Sequence, residues 1–239
     1  SLQQSDLQHT SGYSPYALDF DGTNQEFDIP SVSTLELYNT DFTISFWCKV
    51  DASATNPMLF EKYTGGGGWS LYILNNYLRF YNGSGWTYIS GDFTTAYAGL
   101  WTNVTIVGDL ASTNLKCYIN GSQVHSSTNS LIQIQNTDIL TMAGSNGNAF
   151  SYAGGLSNVA IWSGTALSAA EVTEVYNQGV PINLNTFSGN KPNHWWQLGS
   201  NSSFNSNSWT CLDEGISAST SPLTSAVSTT NMAGDDAGG

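Results

Sequence analysis

Charged side chains are scarce in this sequence, and basic ones are the scarcest. Asp, Glu, Lys and Arg make up 10% of the 239 residues, whereas an average soluble protein has roughly 25%. Five Lys and Arg oppose eighteen Asp and Glu, which gives a formal net charge of −13. A field of this sign repels phosphate backbones and anionic membrane surfaces. We therefore expect no nucleic-acid partner, and a surface made polar by Asn, Ser, Thr and Gly.

Long apolar segments are also missing. No run of about 18 or more apolar residues occurs, so we expect no insertion into a membrane. The opening segment, SLQQSDLQHT, lacks the basic and apolar regions of a signal peptide. It also lacks an initiator Met, so we expect that processing or numbering has removed something upstream, and secretion stays open.

Only three cysteines are present. Cys48 and Cys117 lie in alternating segments, on the same predicted face as large apolar residues, so we expect both to be buried. Cys211 has no such pattern. An odd count with two core positions argues against a disulfide framework and predicts folding in a reducing compartment.

Short segments that alternate apolar and polar residues follow one another from Ser14 onward. They recur about every 8–15 residues, which is typical of a β-sandwich or jelly roll. A hairpin is predicted around Asn82–Gly85, and Asn120-Gly121 predicts a second, two-residue hairpin. The main strand-like segments are SPYALDFDG, EFDIP, DFTISFWCKV, PMLFEKY, WSLYIL, LWTNVTIVGD and NLKCYI.

One compact helix is predicted near 169–178, after the last strand of this series. Ser168 and Glu171 have the spacing of a capping box. An apolar stripe with helical spacing follows, formed by Val172, Val175 and Tyr176. Gly179 supplies a left-handed residue after the last turn, and Pro181 prevents continuation.

Six segments in this order resemble the concanavalin A-like, laminin G-like lectin domain, over roughly 14–180. They are YALDFDGTNQEFDIP, DFTISFWCKVD, MLFEKYTGGGGWSLYI, LWTNVTIVGD, NLKCYINGSQV and GGLSNVAIWSGTALSAAEVTEVYNQG. The resemblance implies an all-β, two-sheet antiparallel jelly-roll sandwich of about a dozen strands, in which Tyr16–Asp21 pairs near Asn158–Trp162. The Asn- and Ser-rich style, with HWWQLG, is similar to laminin G-like structural proteins of marine bacteriophages.

We expect three parts in the chain. Residues 1–14 form an N-terminal arm, and 15–180 form the jelly roll. Residues 181–239 form an extended, Ser-, Thr- and Asn-rich C-terminal segment that buries little by itself. Such a segment needs a surface to become ordered, so we expect it to dock on its own domain or on a neighbouring subunit.

Catalytic and metal-binding patterns are weak. The glucanases of this fold carry E-x-D-x-x-E on one strand, with paired carboxylates as nucleophile and acid/base, and no such spacing occurs here. The nearest acidic pairs are Asp19/Asp21, Glu26/Asp28, Asp213/Glu214 and Asp235/Asp236. Asp19-Phe20-Asp21-Gly22 is only a fragment of a Ca²⁺ loop, so no cofactor or metal is expected. A Ca²⁺ site stays open as the alternative, without a clear motif, if residues such as Asp109 and Asp138 converge in the fold.

Aromatic residues near the Gly65–Gly68 loop are the candidates for glycan binding. Sugar rings stack on exposed Trp and Tyr faces, so the expected site residues are Tyr63, Trp69, Trp86 and Tyr88. The alternative is that these rings simply fill the core, which takes most aromatic residues in a sandwich. Trp47 and Trp162 are assigned to the core.

Two functions of different classes follow. The first is a non-enzymatic structural or assembly protein, such as a capsid decoration or fibre component at a virion surface, with weak glycan binding. It would contact other subunits through both terminal segments. The alternative is a secreted or cell-surface carbohydrate-binding module or adhesin that holds surface polysaccharide, and a glycoside hydrolase is a distant third.

Overall fold

Two antiparallel sheets pack face to face in the computed structural model of this chain. The structure describes residues 16–218 except 24, 55, 129, 147–149, 200, 206 and 207. For 204, 205, 208, 223–224 and 233–236 it describes the backbone alone. The predicted N-terminal arm, 1–14, lies outside the described residues.

The larger sheet has eight strands, all paired antiparallel. Seven of them follow one another across the sheet as β10 (Ser122–Thr128), β9 (Asn114–Ile119), β8 (Thr102–Asp109), β3 (Phe42–Val50), β12 (Ala153–Ser163), β1 (Tyr16–Asp21) and β17 (Ala233–Asp236). The eighth, β13 (His194–Trp196), also pairs with β12.

The second sheet has six strands and carries the candidate site. Across the sheet these are β2 (Phe27–Ile29), β11 (Leu140–Met142), β4 (Met58–Thr64), β5 (Gly67–Leu74), β6 (Tyr77–Tyr81) and β7 (Trp86–Asp92). A small third sheet from the C-terminal segment contains β14 (Ser202–Asn205), β15 (Ser208–Cys211) and β16 (Leu223–Thr224). The two large sheets confirm the predicted jelly-roll sandwich.

Alternation along each strand builds the core between the two sheets. In β3, the side chains of Ile44, Phe46 and Cys48 are fully buried and point toward the six-stranded sheet. The rings of Phe46 and Phe60 of β4 meet across the interface with centroids 5.0 Å apart. This contact holds the two layers together by burial of apolar surface.

The three cysteines are buried free thiols. Cys48 and Cys117 occupy core positions, as predicted from their alternating segments. Cys211, which lacks such a pattern, is buried as well, and its Sγ lies 3.1 Å from Ser202 Oγ. Burial raises the pKa of the Cys211 thiol to about 12, so it stays protonated at neutral pH.

The predicted helix is confirmed as α2 (Ala169–Tyr176), and its capping box is present. Glu171 N donates to Ser168 Oγ at 3.3 Å, and Ser168 N donates to Glu171 Oε2 at 2.7 Å. The helix ends at Tyr176, two residues before the predicted end at 178, because Asn177 takes the left-handed conformation with φ of 46°. Asn tolerates this region better than most non-glycine residues.

A second helix, α1 (Phe93–Tyr97), was not predicted. Its five residues are too few for a periodic pattern, but Asp92 at the N-cap accepts a hydrogen bond from Thr95 N at 3.0 Å. No helix in the described part of the chain has the length and apolarity needed to cross a bilayer.

Helix α2 covers the outer face of the eight-stranded sheet and forms a second apolar cluster there. Trp47 stacks on Tyr176 of the helix, with ring centroids 5.9 Å apart. Trp47 and Trp162 are both buried, which confirms their assignment to the interior. The cluster consists of Val107, Tyr118, Ala160, Trp162, Leu167, Val172, Val175, Leu184, Phe187 and Trp195.

The pairing implied for Tyr16–Asp21 is correct in its partner strand and wrong in its register. Leu18 pairs with Leu156 rather than with a residue of 158–162. The pairing of β12 with β3 shifts between Ser157 and Ala160, and Asn158 there has φ of 47°. Beyond this irregularity β13 occupies the edge of β12, so β1 pairs only with its first half.

The described part of the C-terminal segment packs on its own domain. Trp195 and Trp196 are 1% exposed, and the Trp162 indole donates to Asn190 O at 2.6 Å. His194 is buried between two partners, with Nδ1 at 2.7 Å from Asp213 Oδ2 and Nε2 at 2.7 Å from Thr34 Oγ1. The described residues 190–213 of this segment therefore contribute to the packing of the domain.

Replacement of Trp195 tests this integration. We expect Trp195→Ala to lower the free energy of unfolding by about 3–5 kcal/mol, the usual cost of removing a buried Trp. Chemical denaturation of the wild type and the variant measures this change in the free energy of unfolding. Leu212→Ala is the control, since Leu212 is 49% exposed in the same segment and should cost less than about 0.5 kcal/mol. A cost for Trp195→Ala as small as that of the control would show that the segment does not stabilise the domain.

Candidate functional site

The outer face of the six-stranded sheet carries a continuous group of aromatic side chains, here called the aromatic platform. Side chains on the same strands that point to the opposite face of the sheet, including Leu71 and Phe80, are fully buried in the core. The register places the other set side by side, with Tyr72 opposite Arg79, and Tyr81 opposite Trp86. The platform consists of Tyr63, Tyr72, Tyr81, Trp86 and Tyr88.

Most platform rings touch one another. Tyr81 contacts Tyr63 with centroids 5.2 Å apart and Trp86 with centroids 5.0 Å apart. Trp86 also lies against Tyr72 at 5.8 Å. Edge-to-face and tilted ring contacts of this kind hold aromatic side chains in place. The result is a pre-ordered surface, on which Trp86 is still 43% exposed and Tyr63 is 37% exposed.

Arg79 orders the far side of the platform. Its guanidinium carbon lies 4.0 Å from the centroid of the Tyr88 ring, and Nη2 donates a hydrogen bond to the Tyr88 hydroxyl. Tyr88 also contacts Tyr77 edge-on, with centroids 5.6 Å apart. The Tyr88 side chain is nevertheless 49% exposed, so its ring remains available to a ligand.

A groove of about 440 Å³ runs beside the platform. Its lining includes Tyr63 and Phe150, and Phe150 contacts Tyr72 with ring centroids 5.4 Å apart. Glu61 and Asn146 supply polar groups to the same lining, and Asn146 N donates to Glu61 Oε1 at 3.0 Å. Aromatic walls with a few polar groups are typical of small-molecule sites.

The glycine turn beside the groove is held by a neighbouring loop. Asn136 Nδ2 donates to Thr64 O and to Gly67 O, both at 3.1 Å. A Cβ on Gly68, which has φ of 94°, would lie 1.9 Å from Lys62 O. Glycine is therefore required there by close backbone approach, and the turn fixes the position of Tyr63.

The prediction that Trp69 belongs to the site is wrong. Trp69 is fully buried, and its indole N–H donates to Leu35 O at 3.0 Å. The reason is that residues two positions apart on a strand lie on the same face of the sheet. Trp69 therefore shares the face of Leu71 and Ile73, which both point into the core. The structure places Tyr63, Trp86 and Tyr88 at the surface, where each is exposed by more than a third.

Three members of the surface were not predicted: Tyr72, Tyr81 and Phe150. The segment from Tyr77 to Tyr81 carries a usable signal, because its aromatic and basic residues alternate with Leu78 and Phe80. Phe150 has no such signal, since it lies in a loop that only the fold brings to the sheet.

Carboxylates lie at the opposite end of the same face. Burial raises the pKa of Glu26 to about 7, and the nearby charges of Asp28 and Glu61 add to this shift. Burial also raises the pKa of Glu61. Among the described residues, no group of three or more His, Cys, Asp or Glu side chains is arranged to hold a metal ion.

Comparison with known proteins places the chain in a family. The profile described as the concanavalin A-like lectin/glucanases superfamily matches residues 21–173, more than half of the chain. No curated protein sequence matches the chain significantly.

Solved structures share the fold at low sequence identity. A candidate carbohydrate-binding protein of Bacteroides ovatus superposes with a TM-score of 0.67 at 13% identity, over 94% of this chain and 60% of that one. A heptameric SAP-like pentraxin of Limulus polyphemus gives 0.52 at 17% identity, over 70% and 84%. The CBM40 of a Ruminococcus gnavus IT-sialidase, bound to α2,3-sialyllactose, gives 0.51 at 15% identity, over 67% and 96%. This chain thus spans 60% of the length of the Bacteroides protein.

The raised pKa of Glu26 predicts a pH dependence of stability. The folded-state pKa of about 7 exceeds the ordinary value of 4.5, so the folded protein favours the protonated carboxyl. The contribution of Glu26 to the free energy of unfolding is fully present below pH 4.5. It is lost as the pH rises through 7, and the loss amounts to at most about 3 kcal/mol.

We expect Glu26→Gln to remove this part of the pH dependence in denaturation experiments between pH 4 and 8. Asp51→Asn is the control, because hydrogen bonds from Ser53 lower the pKa of Asp51 and give the opposite sign. An unchanged pH profile in the Glu26 variant would contradict the assignment.

Proposed function

Because this chain belongs to the concanavalin A-like lectin/glucanase superfamily, we propose that it is a non-enzymatic carbohydrate-binding module with its site on the aromatic platform. The observation that carries the proposal is the exposure of mutually ordered rings beside a polar groove. Monomeric soluble proteins rarely leave such contiguous apolar surface uncovered without a binding role.

The platform has the chemistry that saccharide recognition needs. The apolar C–H face of a sugar ring can lie on the exposed rings of Trp86 and Tyr88, while tyrosine hydroxyls and the polar groups of the groove bond to sugar hydroxyls. The rings are already held by their neighbours, so little side-chain entropy is lost on binding.

The related structures support this class of ligand. The Bacteroides ovatus protein is a candidate carbohydrate-binding protein, and the CBM40 holds sialyllactose. A catalytic role has less support, since the chain lacks E-x-D-x-x-E, the spacing of the glucanases with this fold. Fold alone does not decide between these roles.

A structural role at a virion surface is the second candidate. It is supported by the polar, charge-poor composition and by the similarity in style to phage laminin G-like proteins. The C-terminal segment adds no support for this role, because its described part packs on its own domain. Both candidate functions fit a protein that acts outside the cell or on a virion surface. The three free thiols fit a chain that folds in a reducing compartment. Electron microscopy of particles from the native source, finding no copies of the protein, would remove this candidate.

Replacement of Trp86 tests the proposed site. Screening on a glycan array identifies a ligand, and calorimetry then compares the wild type with Trp86→Ala. We expect the variant to bind on the order of ten-fold more weakly, because it loses about 1.4 kcal/mol or more of ring contact.

Tyr38→Ala is the matched control, since Tyr38 is an exposed aromatic residue, 43% exposed, that lies outside the platform. Thermal unfolding of both variants separates binding from stability. No binding to any glycan, or equal affinity in the wild type and the Trp86 variant, would count against the proposal.

A further inference from the structure

Arg79 stands apart from the other charged residues of the molecule. It is the sole arginine in a chain with eighteen acidic residues. The strand register places it on the far side of the aromatic platform, opposite Tyr72 on one neighbouring strand and Tyr88 on the other. Its side chain is partly exposed, so the guanidinium lies at the surface where a ligand would bind.

The hydrogen-bonding capacity of this guanidinium is incompletely used. Nη2 donates to the Tyr88 hydroxyl, but Nε is buried without a hydrogen-bond partner. Within the described residues, the observed ion pair joins His194 to Asp213, and none involves Arg79. Arginine carries five donors in a fixed fork, and a buried donor without a partner costs free energy. No carboxylate among the described residues forms an ion pair with this guanidinium.

We infer that Arg79 binds the carboxylate of an acidic sugar residue in the glycan, an inference that rests on the proposed carbohydrate-binding function. A guanidinium binds a carboxylate through two parallel hydrogen bonds, which fix orientation as well as adding affinity. Stacking on Tyr88 holds the guanidinium in place before the ligand binds. The acidic residue lies over Arg79, and neutral residues of the same glycan lie on Trp86 and Tyr81.

The net charge of the protein limits how many negative charges the ligand can carry. A net charge of −13 repels long polyanions, and this repulsion acts over roughly 10 Å at 0.1 M salt. Glu61 lies in the groove beside Tyr63, at the other end of the platform. The ligand is therefore a largely neutral oligosaccharide with an isolated carboxylate at the Arg79 end.

The test uses the full chain and matched oligosaccharides. An array presents each oligosaccharide as a neutral form, as an acidic form carrying one uronate or one sialate residue, and as the methyl ester of that acid. Calorimetry then gives affinities for the pair with the strongest signal. We expect the acid to bind about ten-fold more tightly than the neutral form, as charge-assisted hydrogen bonds allow, and the ester to bind like the neutral form. The uronate and sialate arms distinguish the two sources of carboxylate.

Variants assign the effect to one side chain. Arg79→Gln should abolish the preference, so that the acid and the neutral form bind that variant alike, while Arg79→Lys should retain part of the preference. Lys116→Gln is the control, because Lys116 lies on β9 in the other large sheet. Thermal unfolding shows whether each variant is folded.

Each outcome has a distinct meaning. Equal binding of acid and neutral forms, or a preference that survives Arg79→Gln, overturns the role of Arg79 and leaves the carbohydrate-binding function intact. Failure of every oligosaccharide to bind overturns both.

Discussion

Contact between the two sheets, through rings such as Phe46 and Phe60, fixes the inward face of every strand in the six-stranded sheet. Because side chains alternate along a strand, the choice of inward residues also determines which residues face outward. Leu71, Leu78 and Phe80 fill the core, so Tyr72, Arg79 and Tyr81 must lie on the opposite, outward face of the sheet. The candidate binding face is thus a geometric consequence of how the core is packed.

Local signals in the sequence were sufficient for much of the fold. The capping box of Ser168 and Glu171 and the Asn120-Gly121 hairpin involve residues close in the chain, and both are present. Long-range features were harder to predict. The register of β1 depends on the irregularity at Asn158 and on competition from β13, and neither leaves a trace in Tyr16–Asp21 itself.

The candidate site shows the same division. The strand pattern correctly predicts that Trp86 and Tyr88 are exposed. The prediction for Trp69 is wrong, because Trp69 shares the inward face of its strand with Leu71 although it lies near the glycine turn. Phe150 reaches the groove only through folding of a distant loop. The separation of charge on this face, with carboxylates at Glu26 and Glu61 and a cation at Arg79, likewise requires the register of the five neighbouring strands from β2 to β6. Sequence alone could indicate a sugar-binding chemistry but not this layout.

Indole N–H resonances in an NMR titration with an array-selected oligosaccharide test the central claim most directly, because they report on individual tryptophans. The chain has eight of them, of which Trp86 is on the platform and Trp69 lies in the core. The platform site predicts a saturable shift of the Trp86 resonance while that of Trp69 stays in place. An unchanged Trp86 resonance, with shifts confined to residues away from the six-stranded sheet, would contradict it.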